Sequence, residues 1–422
     1  MAAVDTPRAA PTDRARQVHR ELAEATGVAL PVRLWDGSEL GPEADYRIVL
    51  EHPEALRALL LPPSDLSAGE AYVVGHVDVE GDLVAAMAEF EGLAERRPPA
   101  AHLVRLVGHL LAHRRPTSDA RQHRARLRGR RRSKRRDREA IAFHYDHPQA
   151  LYDAFLDDEL VYSCAYFDDP DGSLDAAQRR KLDLVCRKLR LGPGSRLLDI
   201  GCGYGSLLAH AAERYGATSV GVTLSERQVE IGRRRLADRG LDDVADVRLQ
   251  DYRDVEGSFD AVCSIGMIEH VGPQQLGPYH ERVEGLLRPG GLALTHGIVT
   301  GDADWVRRGS ERTFISKHVF PDGGLVPAWR VVRDAERAGL DLLDVEQLRP
   351  HYALTLRAWV RRLEERHDEV VAAVGERTFR TWRAYMAGSA AAFEAGRIGV
   401  VQVLLGKGAD VPLGREWMLP RA

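Results

Sequence analysis

The segment that most constrains the fold runs from Leu197 to Gly205 and has the sequence Leu-Leu-Asp-Ile-Gly-Cys-Gly-Tyr-Gly. An apolar stretch is interrupted by Asp199, and three glycines then lead into a helix that is expected to begin near Tyr204. Glycine permits tight turns and lets a ligand lie against the main chain. At the carboxyl end of a parallel strand, such a turn is typical of nucleotide-like cofactor sites. Its G-x-G-x-G spacing differs from the dinucleotide pattern G-x-G-x-x-G, and a glycine turn without a ligand is the alternative.

Composition and cysteine usage narrow the class of protein. The 422 residues are 44% hydrophobic and 29% charged with a formal net charge of −4, which is ordinary soluble composition and enough for two or three domains. The four cysteines, Cys164, Cys186, Cys202 and Cys263, form no C-x-x-C pair and no zinc spacing. We therefore predict reduced thiols, no metal site and a cytoplasmic protein. We also expect no signal peptide, because the first twenty residues lack an apolar core, and any membrane contact is expected from the surface.

The first domain is predicted to be a small α+β unit over residues 13–113. Strands are expected at Arg47–Leu50 and Ala71–Val74, helices at His52–Leu61, Leu83–Gly92 and Ala101–His113, and a turn at Val79–Leu83. The last of these helices has leucines and a valine along one side.

A basic segment, residues 114–138, follows this domain. It contains thirteen Lys or Arg against two Asp and almost no apolar residues, so it is expected to be poorly ordered when free. A solvated linker is the simplest interpretation. Attraction to anionic lipid headgroups, at about 1 kcal/mol per basic residue near the surface, is a second. Binding to nucleic acid is a third, which the absence of aromatic residues from the segment disfavours.

Residues 139–422 are predicted to form one α/β domain. Strands at 196–200, 219–224, 246–249, 259–265 and 291–298 alternate with helices at 207–215, 226–239 and 273–287, followed by helices at 354–371 and 376–395. This alternation predicts a doubly wound, mostly parallel sheet.

Ligands of such sheets bind at the carboxyl ends of the strands, and polar residues follow each predicted strand there. After the glycine turn, these groups are Thr223–Ser225 with Gln228, Gln250–Tyr252, Gly266–His270 and His296–Ile298.

The glycine turn resembles the first motif of class I S-adenosylmethionine-dependent methyltransferases, which implies a Rossmann-like, seven-stranded sheet. Many of these enzymes have an acidic residue at the end of the second strand, where this chain has Thr223-Leu224-Ser225. With this departure, the chain resembles the cyclopropane-fatty-acyl-phospholipid synthases and the mycolic acid cyclopropane synthases over residues 139–405. The matching motifs are Val161–Phe167, Leu198–Gly205, Gly221–Ser225, Ser264–Gly272, Thr295–Ile298 and Arg349–Leu356. The front domain, with Gly69–Tyr72, looks like the one in bacterial phospholipid-acting members.

The resemblance implies transfer of a methylene group from S-adenosylmethionine to a cis double bond of an unsaturated phospholipid acyl chain. The alkene attacks the sulfonium methyl, a carbocation forms, a bound bicarbonate ion removes a proton, and the ring closes. Because the carbocation is very acidic, its base must be close and shielded from water rather than strong.

The same resemblance implies the site residues. The bicarbonate cage would comprise Cys164, Glu269, His296, Tyr352 and the backbone amide of Ile298. The cofactor site would comprise Tyr162, Ser163, Asp199, Gly201, Gly203, Thr223, Leu224, Gln228, Asp251 and Tyr252. Met267 and Ile268 are expected to line the acyl channel, with a place in the core as the alternative, and Tyr166 and Phe167 to stabilise positive charge. Taken one at a time, the cage side chains have purely structural explanations, namely a buried apolar thiol, a helix cap, a core histidine and a packing tyrosine.

Three other functions stay open. A related branch forms an exocyclic methylene that a reductase converts to a methyl branch, but that branch lacks histidines at the positions of His270 and His296. A small-molecule or RNA methyltransferase and a non-catalytic membrane-surface protein are the others, and the cage motifs disfavour both. We expect a protein peripheral to the inner membrane surface, without a nucleic-acid partner. Because family members often pair, a homodimer is left open.

Overall fold

The computed structural model describes residues 11–61, 64–96, 99–111, 124–125, 127–301 and 313–419. Strands, numbered in chain order, are β1 Val32–Arg33, β2 Glu39–Leu40, β3 Tyr46–Leu50, β4 Val77–Gly81, β5 Arg196–Ile200, β6 Thr218–Thr223, β7 Ala245–Leu249, β8 Phe259–Ile265, β9 Leu287–Thr300, β10 Asp341–Gln347 and β11 Ile398–Gly406.

Helices are numbered in the same way. They are α1 Pro11–Thr26, α2 Ala55–Leu60, α3 Asp65–Val73, α4 Leu83–Glu95, α5 Ala100–Leu111, α6 Lys134–Tyr145, α7 Gln149–Phe155, α8 Leu174–Lys188, α9 Ser206–Tyr215, α10 Glu226–Asp238, α11 Ile268–Val271, α12 Leu276–Leu286, α13 Phe314–His318, α14 Ala328–Arg337, α15 Arg349–Glu365, α16 His367–Val374 and α17 Glu376–Glu394.

The chain divides into two compact units. The first contains the described residues up to 125 together with 313–319 and 374–391, and the second contains the other described residues. Two segments that the sequence places in a contiguous second domain, residues 139–422, therefore belong to the first unit. Arg380 explains one of them, because its guanidinium donates to the carbonyls of Tyr72 and Val77, each at 2.7 Å.

The first unit contains a four-stranded sheet in the order β2-β1-β3-β4. The predicted strand at 47–50 is present as β3, but the strand predicted at Ala71–Val74 is wrong, because these residues end helix α3. The Ser64 hydroxyl accepts a hydrogen bond from the Ser67 amide and caps the start of this helix. The predicted turn at Val79–Leu83 is also wrong, since strand β4 continues to Gly81 and Asp82 caps α4.

The second unit contains a seven-stranded sheet in the order β10-β11-β9-β8-β5-β6-β7. Strands β9, β8, β5, β6 and β7 are parallel neighbours, while β11 runs antiparallel to β9 and β10. This confirms the predicted doubly wound, mostly parallel sheet. The chain leaves β5 toward β6 on one side and returns to β8 on the other, which puts the glycine turn at the topological switch point.

The carboxyl-terminal part of the sheet differs from the prediction. The sequence predicts that helices dominate after residue 300 and locates only five of the seven expected strands, whereas β10 and β11 complete the sheet. Strand β11 is almost wholly buried, whereas β10 lies at the edge and has charged residues. The long helix predicted at 354–371 is two helices, α15 and α16, which meet at Arg366.

The basic segment is partly structured. Residues 112–123 and 126 lie outside the described residues, but Lys134–Arg138 form the start of α6. The predicted domain boundary at 138/139 therefore falls inside a helix. Lys134 and Arg136 make ion pairs with Asp254 and Asp322, at 2.6 Å and 2.5 Å. These pairs neutralise part of the segment within the second unit and give it a structural role.

We predict that Gly221→Ala destabilises the second unit. A Cβ atom at Gly221 would lie 2.5 Å from the Cβ of Cys202 and 2.7 Å from Cδ1 of Leu208, so strand β6 and the glycine turn would have to separate. Overpacking of this kind costs about 1–3 kcal/mol. Urea denaturation measures the change, and Gly277→Ala, in α12 with open space around its Cα, is the matched control that should lose no stability. Equal stability of both variants would contradict the close packing described here.

Candidate active site

The glycine turn after β5 forms one wall of the site. Gly201, Gly203 and Gly205 have φ angles of 83°, 54° and 78°, in the left-handed region that side chains disfavour. The amides of Gly201 and Cys202 donate to the Val222 carbonyl at 2.8 Å and 3.2 Å, which ties the turn to strand β6. Helix α9 begins directly after it, so its free amides face the turn.

A cleft of about 750 Å³, partly open to solvent, lies beside this turn. Its lining includes five residues predicted to bind the cofactor at the ends of β6 and β7, together with Gly201. These are Thr223, Leu224, Gln228, Asp251 and Tyr252. The Thr223 hydroxyl donates to the Gln228 side chain at 2.6 Å and holds the two residues together.

A second cleft lies on the other side of the turn. It is lined by the remaining predicted cofactor residues that reach a cavity, Tyr162, Ser163 and Gly203. Tyr145 and Gln228 line both clefts, which makes them adjacent. An extended ligand with two chemically different ends fits this arrangement better than a compact one.

Charge at the larger cleft is negative at Asp251. Burial opposes ionisation of this carboxyl, but hydrogen bonds from Arg253, at 2.6 Å and 2.8 Å, hold its pKa below the usual value. The adjacent Tyr252 is neutral, because burial raises the pKa of its hydroxyl to about 12. An ionised carboxylate beside an aromatic ring can accept hydrogen bonds from hydroxyl or amino groups of a ligand.

Asp199, the tenth predicted cofactor residue, lies beneath the turn rather than on a cleft surface. Burial raises the pKa of its carboxyl to about 7, and its Oδ1 atom has no hydrogen-bond partner among the described residues. Lys181, fully buried on α8, donates to the Ser163 hydroxyl at 3.0 Å and partly offsets the rise in the Asp199 pKa. Burial lowers the pKa of the Lys181 amine, while Asp157 and Asp199 act in the opposite direction.

Glu269, on α11, is the first of the predicted cage residues. One carboxylate oxygen accepts a hydrogen bond from the Ile298 amide at 2.7 Å. The other oxygen, Oε2, is buried and has no partner within the described part of the chain. Burial raises the pKa of Glu269 to about 7, although the Ile298 amide acts in the opposite direction.

His296, on β9, lies two residues before Ile298 and is 2% exposed. Burial, with the positive charges of Lys181 and Lys188, lowers its pKa to about 3, so the ring is neutral. Its Nε2 atom finds no partner in the described ranges. His296 pairs with Ile265 across β8 and β9, and Ile265 lines the second cleft. The cage region is therefore adjacent to the clefts.

Cys164 and Tyr352 meet at Leu348. The Cys164 thiol donates to the Ala165 carbonyl at 3.2 Å and lies 3.8 Å from the Leu348 carbonyl, while the Tyr352 amide donates to that same carbonyl at 3.1 Å. Burial raises the pKa of the thiol well above its usual value, so it stays protonated. The thiol contacts backbone carbonyls, and its place in the cage remains a prediction.

The four residues expected near the substrate make the following contacts. Met267 lines the larger cleft and Ile268 is a core residue, so neither is placed on a separate acyl channel. Tyr166 stacks on His351 at 4.7 Å and the Phe167 amide donates to that histidine, so both pack on α15. The rings beside the clefts include Tyr162 and Tyr252, which the sequence selected, and Tyr145 on α6, which it did not.

Tyr162 is surrounded by aromatic rings. Those of Trp359, His144, Phe155 and Tyr152 lie 5.2, 5.7, 5.8 and 6.1 Å from it. Such a shell excludes water from behind Tyr162, whose own ring lines the second cleft. Of its members, only Tyr162 is suggested by a motif in the sequence.

The fold, the glycine turn at the switch point and the paired clefts define a class I S-adenosylmethionine-dependent methyltransferase. The family model for mycolic acid cyclopropane synthetase matches residues 132–403. The chain belongs to this family of cyclopropane synthases and methyltransferases that act on fatty acyl chains.

Individual comparisons agree with this assignment. The chain is 40% identical over 407 residues to the "probable fatty acid methyltransferase" of Pseudomonas putida, covering 92% of this chain and 96% of the relative. It is 37% identical over 267 residues to the cyclopropane-fatty-acyl-phospholipid synthase of Escherichia coli, covering 63% and 67%. The solved mycolic acid cyclopropane synthase CmaA1 complexed with SAH and CTAB is 32% identical, with a TM-score of 0.61, and the match covers 64% of this chain and 98% of that one.

We predict that Glu269→Gln makes the protein more stable at pH 8. The pKa of Glu269 is raised in the folded state, so unfolded chains release this proton between about pH 4.5 and 7 while folded chains retain it. Stability therefore falls over that interval by an amount on the order of 3 kcal/mol, and remains lower above it. Glutamine removes this cost.

Urea denaturation at pH 5 and pH 8 tests the prediction. The gain of Glu269→Gln over the wild type should be larger at pH 8, whereas Glu256→Gln, at an exposed site, should show no such difference. An equal gain at both pH values would mean that the Glu269 carboxyl is not destabilised by burial.

Proposed function

We propose that this protein is a cyclopropane-fatty-acyl-phospholipid synthase, which adds a methylene group across a cis double bond of a phospholipid acyl chain. One observation supports this more than any other. Glu269 Oε2 and His296 Nε2 are both buried, near the cofactor clefts, and without partners in the described residues. Buried polar atoms in native proteins are nearly always hydrogen-bonded, so these two atoms have hydrogen-bonding capacity that a ligand can satisfy.

The chemistry of the two atoms fits a protonated oxyanion. A carboxylate oxygen accepts a hydrogen bond, and a neutral imidazole N–H donates one. Bicarbonate offers both a hydroxyl donor and acceptor oxygens. A simple carboxylate lacks the donor, and an ammonium group lacks the acceptor. When bound, it would supply the base that removes a proton from the methylated substrate.

S-adenosylmethionine supplies the electrophilic methyl group when it is bound. The residues of this chain that would hold it line the two clefts, with Asp251 at one end and Tyr162 at the other. Glu269 and His296 would position the anion, and the Ile298 amide fixes the carboxylate orientation. The aromatic shell around Tyr162 would keep water from a reactive cation, because water would otherwise quench it.

A methyl-branched or methylene product is the second candidate. The Pseudomonas putida relative, named as a fatty acid methyltransferase, matches nearly the whole chain, whereas the Escherichia coli synthase matches 63% of it. His270 and His296 favour ring closure, since we associate their replacement with the methylene-forming branch. His270 lines the larger cleft and stacks on Phe320 at 4.5 Å, so it is part of the site.

We predict that Glu269→Gln retains cofactor binding but lowers turnover about 100-fold or more, because a neutral amide binds the anion differently. The assay uses vesicles of unsaturated phosphatidylglycerol and phosphatidylethanolamine with S-adenosylmethionine. Lipid NMR separates the ring from its methylene isomer, and calorimetry with S-adenosylhomocysteine measures cofactor binding. Ring product from the wild type is expected. A methylene product selects the second candidate, and unchanged turnover of the variant refutes the role of Glu269.

We also propose that the protein works at the inner, cytoplasmic membrane surface, through helix α5 of the first unit. Apolar side chains recur on one side of this helix at Leu103, Val104, Val107 and Leu111, and they are 43, 73, 36 and 56% exposed. The opposite side packs on α1, where His102 and Arg105 bind Glu21 at 3.0 Å and 2.9 Å. No helix in the described ranges is long and apolar enough to cross a bilayer.

Charge selects the occupant of this apolar stripe. Arg114, Arg115 and Arg121 follow α5 in the sequence. They belong to the first half of the basic segment, whereas the ion pairs within the second unit are made by Lys134 and Arg136 in its second half. An apolar stripe followed by basic residues matches an anionic lipid surface, where hydrophobic burial and charge attraction add.

We predict that Val104→Ser/Val107→Ser weakens binding to phosphatidylglycerol vesicles about tenfold, because apolar burial is lost. Replacing Arg114, Arg115 and Arg121 with Gln should weaken binding and reduce its dependence on salt. Vesicle co-sedimentation measures both, and Val244→Ser, at an exposed valine of the second unit, is the matched control. Unchanged vesicle binding of the variants refutes the membrane proposal. The proposal is also refuted if, in the absence of vesicles, the wild type is a dimer and Val104→Ser/Val107→Ser is a monomer, because the apolar stripe would then be covered by a second copy of the chain.

A further inference from the structure

A buried chain of polar side chains leads to His296 from the side away from its unpaired nitrogen. The Lys188 ammonium, at the end of α8, donates to Gln402 Oε1 at 2.8 Å. Gln402 Nε2 lies 3.2 Å from His296 Nδ1. Gln402 stands opposite His296 in the register of β11 and β9, and it is completely buried.

The charge of Lys188 is balanced on the other side. Its ammonium lies 2.5 Å from Glu346 and 3.7 Å from Asp344, both on β10. Two carboxylates therefore face this ammonium in addition to the Gln402 carbonyl. An ammonium has three donors and no acceptor.

In this series of three side chains, the donor or acceptor role of each group determines the role of the next. Because Lys188 only donates, the group of Gln402 that faces it must be the carbonyl oxygen. The amide nitrogen of Gln402 then faces His296 and donates, since an amide NH₂ has no acceptor. Nδ1 of His296 must therefore accept, and the single proton of the neutral ring must be on Nε2.

We propose that Gln402, oriented by Lys188, is a positioning residue that holds His296 in the tautomer with its proton on Nε2. This nitrogen then presents an N–H donor toward the unpaired side of the ring. The assignment of the tautomer stands without any assumption about the reaction, while its use in binding an anion rests on the proposed function. The low pKa of His296, about 3, agrees, since a protonated ring would oppose the Gln402 amide with a second donor.

The alternative is that the hydrogen bonds among Lys188, Gln402 and His296 only satisfy buried polar groups. A structural role of that kind needs the same hydrogen bonds, but the tautomer that they fix would then have no effect on kcat. Gln402→Glu separates the two explanations, because it keeps the shape and replaces the donor by an acceptor. A carboxylate at this position should draw the ring proton to Nδ1 and leave Nε2 with a lone pair. Loss of an oxyanion donor costs about 100-fold in kcat.

Nitrogen NMR of protein labelled at the histidine rings tests this directly, because protonated and unprotonated ring nitrogens resonate far apart. The His296 signals are identified by their loss in His296→Gln. We expect Nε2 to be the protonated nitrogen in the wild type, and Nδ1 in Gln402→Glu. Gln347→Glu, on the neighbouring strand β10, is the matched control and should leave the His296 signals unchanged.

The outcomes separate this inference from the proposed function. A wild-type His296 with its proton on Nδ1 overturns the inference, even if the enzyme forms a cyclopropane ring. The expected tautomer in a protein that makes no lipid product upholds the inference and refutes the proposed function. In activity assays, Gln402→Glu should lower kcat with little change in the KM for S-adenosylmethionine. The wild-type spectrum keeps the inference testable if this variant does not fold.

Discussion

The hydrogen bond from the Ile298 amide to the Glu269 carboxylate is the interaction on which the site depends. It joins α11 to strand β9 and leaves the second carboxylate oxygen buried without a partner among the described residues. Burying a carboxylate is costly unless it is hydrogen-bonded, and the raised pKa of Glu269 expresses that cost. Perturbed pKa values of this kind are typical of functional sites, which supports the role proposed for Glu269.

The sheet topology explains why this site lies beside the cofactor clefts. Strands β5 and β8 are adjacent at the switch point, and β9 follows β8, so the glycine turn, α11 and His296 meet at one edge of the sheet. The antiparallel strand β11 then brings Gln402 next to His296. The residues that contact Ile298 and His296 on β9 thus come from elements that are far apart in the sequence.

Much of this arrangement was predictable from the sequence. Strands at 196–200 and 259–265 agree with the structure at both ends, because their apolar runs are bounded by polar residues and glycine. Nine of the predicted cofactor residues, including Gly201 and Thr223, line the two clefts, since the carboxyl ends of parallel strands coincide in space. Whether these residues bind the cofactor and the cage residues bind an anion remains a prediction.

The remaining features depend on tertiary contacts. Strand β10 has no clear alternation, because it is an edge strand that pairs with β11 alone, and the role of Gln402 depends on a register that no local pattern specifies. The sequence predicts a strand at Ala71–Val74, where Val73 and Val74 are β-branched. These residues instead end helix α3, which the Ser64 side chain caps at its start. The basic segment has the composition of a linker, but carboxylates such as Asp322 order its second half.

The account as a whole requires an oxyanion between Glu269 and His296. A high-resolution crystal structure of the protein with S-adenosylhomocysteine and bicarbonate would test this most directly. We expect a planar three-oxygen ion that is hydrogen-bonded to Glu269 Oε2 and to His296 Nε2. If these two atoms are instead bonded to each other or only to water, the account is contradicted.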